Sequence, residues 1–327
     1  MSSPPLTIGL TGCGTIGALH AGQLSKRGVD LRFHNRSPST ADEFVKRFGG
    51  AAVRTYDELL EQCDAVVIAS PPEHHMDAVL VALAAGRDVL VEKPLCVTAA
   101  ELQRVDEAEA TSSGFVMIAE NYYYKPSTLL LRETLIWGGV GAVERIRLGK
   151  RSQQVAHGWK AAHGALLEGG IHFVALAGDL IDAAISPHSD TPTVVSPSQV
   201  TARFPTYDSG PERQSIVSIG HAGIEVELHY AWDVPSVLKG TLQRCRIDGI
   251  DGRIVFECNG IYVDIRGPGR RGLSFPGFRD LMGYGAMTED FLACVRRESS
   301  TPYSDIPRAR RDLKIVWRAY EYLPSRD

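Results

Sequence analysis

At 327 residues, 44% apolar and 23% charged with a net charge of −4, the chain is long enough for about two domains and a sizeable core. It carries no basic stripe for nucleic acid, no apolar run of membrane-spanning length, and no basic-then-apolar leader after Met1. The six cysteines are scattered, with no CxxC or metal-ligand cluster, and read as reduced structural thiols of a cytoplasmic protein that needs no metal.

Leu6 to Leu10 is a short apolar run fit for a buried strand. It leads into Gly12-Cys13-Gly14-Thr15-Ile16-Gly17, and Ala18 to Leu24 continues as a helix. The first glycine permits a tight turn, the second leaves bare backbone for a pyrophosphate, and the third lets helix and strand pack closely. The helix start adds free N–H groups and a positive dipole end. Leu31-Arg32-Phe33 is the next strand. An NAD-specific site ends that strand with an acid for the ribose 2′-hydroxyl. Here Asn35 stands in its place, followed by Arg36 and Ser37. A guanidinium suits a phosphate dianion, so NADP is favoured, with NAD still possible.

Asp42 to Phe48 reads as a helix, Val53 to Tyr56 as a short strand, and Tyr56 to Glu61 as the start of another helix. Ala65 to Ala69 is a continuous apolar strand of the kind parallel sheets bury, ending in the turn Ser70-Pro71-Pro72. Met76 to Ala85 is an amphipathic helix closed by Gly86. Asp88 to Val91 is a strand that ends at Glu92-Lys93-Pro94. Thr98 and Glu101 predict a capping box, and Phe115 to Ala119 is a sixth strand. This alternation predicts an α/β, doubly wound parallel sheet over residues 1–121.

Beyond a helix at Ser127 to Ile136 the chain turns strand-rich. Val143–Leu148, Ser198–Phe204, Ser215–Ile219, Ile224–Trp232, Gly240–Ile247, Arg253–Cys258 and Ile261–Ile265 all read as β, with a surface loop at Ser186 to Ser198. Consecutive strands and glycine turns predict a large, mainly antiparallel open sheet in an α+β domain over 122–327. Its exposed face predicts a homodimer or homotetramer. Helices return at Thr288–Arg297 and Ile306–Tyr322, where they can pack back on the first domain.

Two places carry chemistry. Lys93 lies at the carboxyl end of a parallel strand, the rim where open α/β sheets place ligands. Glu168 and His172 stand four apart and share a face if that turn is helical. A histidine there is a natural base at neutral pH, although one in an apolar run is more often a core residue.

The glycine motif, Ser70-Pro71-Pro72-Glu73-His74-His75, Glu92-Lys93-Pro94 and Glu168-Gly169-Gly170-Ile171-His172 come in the order and spacing of a known family. The chain resembles the glucose–fructose oxidoreductase / inositol 2-dehydrogenase (Gfo/Idh/MocA-like) family of NAD(P)-dependent oxidoreductases. The resemblance implies hydride transfer at a secondary alcohol or ketone of a sugar, cyclitol or related polyol. It makes Lys93 and His172 the catalytic pair, with Glu168 orienting the imidazole. It places Ser70, Pro71, His75, Glu92 and Lys93 at the cofactor, and Trp159 and Lys160 near substrate. Tyr122, Tyr123 and Tyr124 are either substrate contacts or core. The family's usual aspartate is Glu168 here, Ala175 stands where another aspartate often follows, and His163-Gly164-Ala165 alters a glycine cluster. The rival expectations are a non-catalytic dinucleotide sensor and a reductase of a tetrapyrrole or imine.

Overall fold

The computed structural model describes residues 5–154, 162–187, 189, 191–208, 210–236 and 240–324. The chain forms two compact units: Met1–Glu120 with Tyr284–Ile306, and Asn121–Gly283 with Pro307–Asp327.

The first unit is built on parallel strands β1 (Thr7–Thr11), β2 (Asp30–His34), β3 (Ala51–Ala52), β4 (Ala65–Ile68), β5 (Asp88–Val91) and β6 (Val116–Ile118). They lie in the order β3-β2-β1-β4-β5-β6, the doubly wound arrangement in which ligands bind at the carboxyl rim. Every residue of β4, β5 and β6 is buried, as both-face burial requires. Helices α1 (Thr15–Ser25), α2 (Pro38–Phe48), α3 (Tyr56–Glu61), α4 (His75–Ala84) and α5 (Ala99–Thr111) fill the crossovers. The expected capping box is present, with the Thr98 hydroxyl accepting from the Glu101 N–H. The strand expected at Val53–Tyr56 lies earlier, at Ala51–Ala52, because the Thr55 hydroxyl accepts from the Glu58 N–H and caps α3. Much later in the chain, α8 (Tyr284–Val295) also belongs to this first unit and packs on α1.

The second unit holds α6 (Pro126–Ile136), α7 (Ile171–Ile185), α9 (Ile306–Tyr320) and eight strands. These are β7 (Val143–Arg151), β8 (Val200–Arg203), β9 (Gln214–His221), β10 (Ile224–Ala231), β11 (Arg244–Gly249), β12 (Gly252–Glu257), β13 (Val263–Arg266) and β14 (Arg271–Ser274). The order is β14-β13-β12-β11-β7-β10-β9-β8, antiparallel throughout except where β10 runs parallel to β7. The strand expected from Gly240 starts at Arg244, because Leu242 takes a left-handed φ of 64° that no strand tolerates. The nearly apolar α7 packs on α6, β7 and β10 and is the core of the unit.

Inward positions of this sheet are apolar, such as Ile146, Leu148, Val226, Leu228, Ile247 and Ile254. The alternate positions are charged and pair across strands, Arg145 to Glu225 at 3.1 Å and Arg147 to Asp248 at 3.6 Å, and along β13, Arg266 to Asp264 at 2.9 Å. Among the described residues, no helix is long and apolar enough to cross a membrane.

Behind α7 lies a buried ionic network. Arg311 donates to Asp182 (2.6 Å), Asp312 (2.9 Å) and the Tyr123 hydroxyl (3.0 Å), and Tyr123 donates to Asp312 at 2.5 Å. The guanidinium lies flat on Gly178, where a Cβ would sit 2.3 Å from its central carbon. A pinned guanidinium has nowhere to retreat. Gly178→Ala is therefore expected to cost about 1–3 kcal/mol by overpacking, read as a lower urea midpoint. Gly22→Ala on α1, where the nearest atom would be Phe48 at 3.7 Å, serves as the control and should be neutral or slightly stabilising.

Candidate active site

In the first unit the site starts at the glycine turn. Gly12 has φ +96°, and a Cβ there would meet Ala69 and Ser70 backbone at 2.4 Å. A Cβ on Gly17 would strike the Gly12 carbonyl at 2.1 Å. Both glycines are thus compulsory for the loop between β1 and α1. Gly14 differs: nothing lies within 4 Å of where its Cβ would stand. No side chain caps α1, so its first N–H groups, from Thr15 and Ile16 onward, are free of a capping acceptor. Bare backbone over open space is what a pyrophosphate requires.

The end of β2 is tied to this loop. The Cys13 N–H donates to the Asn35 side-chain oxygen at 3.1 Å, and the Asn35 amide donates to the Ser37 carbonyl at 3.2 Å. Asn35 thus takes the place of the acid and braces the turn, while Arg36 and Ser37 are exposed beside it. Cys13 is buried, and burial pushes its thiol up to about 12, so it is no nucleophile.

At the carboxyl end of β5, Glu92 is buried and accepts from His20 Nε2 of α1 at 2.9 Å. Burial alone would push the Glu92 carboxyl up. The His20 hydrogen bond and the charges of His20, Lys93 and His75 outweigh it and hold the carboxyl below its usual range. His20 packs edge-on against Tyr284 of α8, with ring centres 5.6 Å apart. Lys93 follows Glu92 and is half-exposed, ahead of a cis bond to Pro94. His75 is fully buried, with Nδ1 2.9 Å from the Pro94 carbonyl and Nε2 2.8 Å from the Ser70 carbonyl. Burial pulls its pKa down despite those two acceptors. A carbonyl only accepts, so the neutral ring donates to one of the two and the imidazolium to both; in either state the imidazole lies between the Ser70–Pro71 turn and the Lys93–Pro94 turn.

In the second unit, Leu166–Gly170 forms a π-helical turn that runs directly into α7. Such wide turns often mark functional positions. Glu168 sits in it and is buried, and His172 lies on the first turn of α7, half-exposed. The spacing of four was read on α-helical geometry, whereas the turn that carries Glu168 is wider. A Cβ on Gly169 would stand 2.1 Å from the Tyr230 hydroxyl, so the turn passes flat against β10. The Tyr122 ring stacks on His172 at 4.7 Å and 12°, and Lys125 Nζ sits 3.9 Å from the centre of the same Tyr122 ring. Tyr123 and Tyr124 are buried, Tyr123 in the Arg311 network. Trp159 and Lys160 lie outside the described residues.

Each unit therefore gathers its own set: Gly12, Gly14, Thr15, Ile16, Gly17, Asn35, Arg36, Ser37, Ser70, Pro71, His75, Glu92 and Lys93 in the first, and Tyr122, Glu168 and His172 in the second. His20 and Tyr284 were not legible, because a lone histidine in a helix and a tyrosine 264 residues away carry no local signal of a pairing.

The model of a family described as "Oxidoreductase family, NAD-binding Rossmann fold" matches residues 6–120. Inositol 2-dehydrogenase of Acidothermus cellulolyticus is 40% identical over 141 residues, 41% of this chain and 41% of that protein. Trans-1,2-dihydrobenzene-1,2-diol dehydrogenase of Mus musculus is 37% identical over 147 residues, 42% of this chain and 44% of that protein. The chain thus spans less than half the length of the curated relatives it matches. A solved UDP-N-acetylglucosamine 3-dehydrogenase from Acidithiobacillus ferrooxidans superposes with a TM-score of 0.81 over 98% of both chains, at 18% identity, which is a likeness of fold. The family match falls on the segment that carries the glycine turn, the braced Asn35 and the Lys93 rim, and over residues 6–120 the chain is similar to NAD-binding oxidoreductases.

Proposed function

We propose that this protein is a cytoplasmic, NADP-dependent dehydrogenase acting on a secondary alcohol of a sugar, cyclitol or related polyol. The observation that carries the reading is Lys93, set on the carboxyl rim of β5 between a charge-paired Glu92 and the buried His75. Cyclitol and cyclic-diol dehydrogenases among the relatives support a ring bearing secondary hydroxyls. Six buried free cysteines suit a reducing compartment.

The residues fit the cofactor. The backbone of Gly12, Gly14, Thr15, Ile16 and Gly17 would hold the pyrophosphate, and Asn35, Arg36 and Ser37 the ribose with its 2′-phosphate. Ser70, Pro71, Glu92 and Lys93 line the rim beyond, with His75 holding that rim in shape. When bound, nicotinamide accepts or supplies the hydride. His172 takes the hydroxyl proton during oxidation and returns it during reduction. Lys93 orients the substrate oxygen and stabilises its developing negative charge. Glu168 orients the imidazole, and Tyr122 fixes the plane of the ring by stacking. Trp159 and Lys160 are assigned further contacts to the substrate.

Lys93→Ala and His172→Ala should each lower turnover by roughly a hundredfold or more on the polyol that the parent oxidises best. Affinity for cofactor, read by fluorescence titration, should barely change. Parent-like turnover in both variants would favour the sensor instead.

NADP should bind more tightly than NAD. Arg36→Ala should remove part of that preference, and Asn35→Asp should shift it toward NAD. Equal or tighter binding of NAD by the parent sinks the assignment.

The second unit's sheet should pair with another copy to give a homodimer or homotetramer. Because its outward positions are charged, the assembly should loosen as salt rises. Sedimentation that finds only monomer at micromolar concentration and low salt refutes this.

A further inference from the structure

The start of α7 is capped by residues far away in sequence. A helix leaves its first four N–H groups without helical acceptors. Here no side chain within the turn caps them. The Ala165 N–H donates to the Glu212 carbonyl at 2.8 Å. The Leu166 N–H donates to the Glu212 carboxylate at 2.7 Å. The Leu167 N–H donates to the Tyr320 hydroxyl at 3.1 Å, which donates in turn to Glu212 Oε1 at 3.1 Å. Glu168 is the first residue to close on the turn itself, through the Gly164 carbonyl at 3.1 Å.

Three consecutive donors are thus answered by one glutamate from the β8–β9 connection and one tyrosine from α9. The fit is close. A Cβ on Gly164 would stand 1.2 Å from a Glu212 oxygen, so only glycine leaves room for the carboxylate. That accounts physically for Gly164. Glu212 is buried, and burial pushes its carboxyl up to about 7. The ionisable group facing it is Tyr320, itself pushed well above its usual range by burial and by Glu212; the π turn presents backbone N–H groups. Tyr320 is held from its other side by stacking on Phe204, with ring centres 6.1 Å apart.

We propose that Glu212 and Tyr320 are positioning residues for Glu168 and His172: their shared cap sets the wide turn that carries the one and delivers the other. The proposal rests on the reading of Glu168 and His172 as active-site residues. An ordinary N-cap side chain would hold one end of a regular α-turn. This cap instead holds a turn of π geometry, so losing it lets the segment relax toward an α-turn. The register of Glu168 against Tyr230 and of His172 against Tyr122 then changes.

The test uses the full chain with Glu212→Ala, Glu212→Gln and Tyr320→Phe. Two readouts need no substrate: amide exchange at residues 165–168, and the ring-current shift that Tyr122 imposes on the His172 imidazole in histidine-labelled protein. Glu212→Ala should speed exchange at Leu166 at least tenfold and reduce the His172 shift. Glu212→Gln keeps an acceptor oxygen and should restore most of both. Tyr320→Phe should expose Leu167 selectively, which keeps the test alive if Glu212→Ala fails to fold. The sign of the pH effect is also fixed. The folded protein retains a proton on Glu212 that the unfolded chain releases above its ordinary value of 4.5. Stability therefore falls as pH rises from 4.5 through about 7, and Glu212→Gln should flatten that fall. Unchanged exchange and an unchanged His172 shift in folded Glu212→Ala and Tyr320→Phe would overturn the proposal. If the His172 signal moves while turnover of a polyol the parent oxidises does not, the cap stands and the catalytic reading fails.

Discussion

Glu92 places a carboxylate in the interior of a parallel sheet, at the end of a strand with no solvent on either face. An unanswered ion there would cost several kcal/mol. The answer is His20, which is carried on α1 and pressed edge-on by Tyr284 at the start of α8. One hydrogen bond thus makes β5, α1 and α8 interdependent. It also fixes the backbone just before Lys93, while His75 fixes the backbone just after it through the Pro94 carbonyl. Lys93 thus stands at a fixed point of the backbone, with a buried histidine bracing the chain on either side of it.

Most of the first unit was legible because its instructions are local. The glycine turn, the capping box at Thr98 and the apolar strands each need only neighbouring residues to be read. The error at Val53–Tyr56 has a local cause too. Thr55 favours strands by its branching but caps helices by its hydroxyl, and the cap won. β11 starts late for a different reason: the run from Gly240 looks extended but turns at Leu242, whose φ is left-handed. β14 went unread because Arg271-Gly272-Leu273-Ser274 has no alternation, its order coming only from pairing with β13.

In the second unit the deciding interactions join distant segments. β10 lies beside β7 in parallel, although β8 and β9 intervene in sequence, and no hairpin signal announces such a pairing. The π turn is equally silent. Leu166-Leu167-Glu168-Gly169-Gly170 reads as an ordinary helix start until Glu212 and Tyr320 are known to occupy its donors. The motif singles out His172, but the width of the turn and the stacking of Tyr122 belong to tertiary structure alone.

The chain leaves the first unit after Glu120 and returns to it at Tyr284. The nucleotide-binding sheet is therefore complete in sequence long before it is complete in structure. During synthesis, its six strands emerge from the ribosome while the helix that presses on His20 is still untranslated. Until residues 284–306 appear, the buried Glu92–His20 pair lacks its tyrosine lid, and α1 lacks its neighbour. The nascent unit must wait through the whole of the second sheet with that surface uncovered, the kind of exposure that makes a folding chain prone to aggregate.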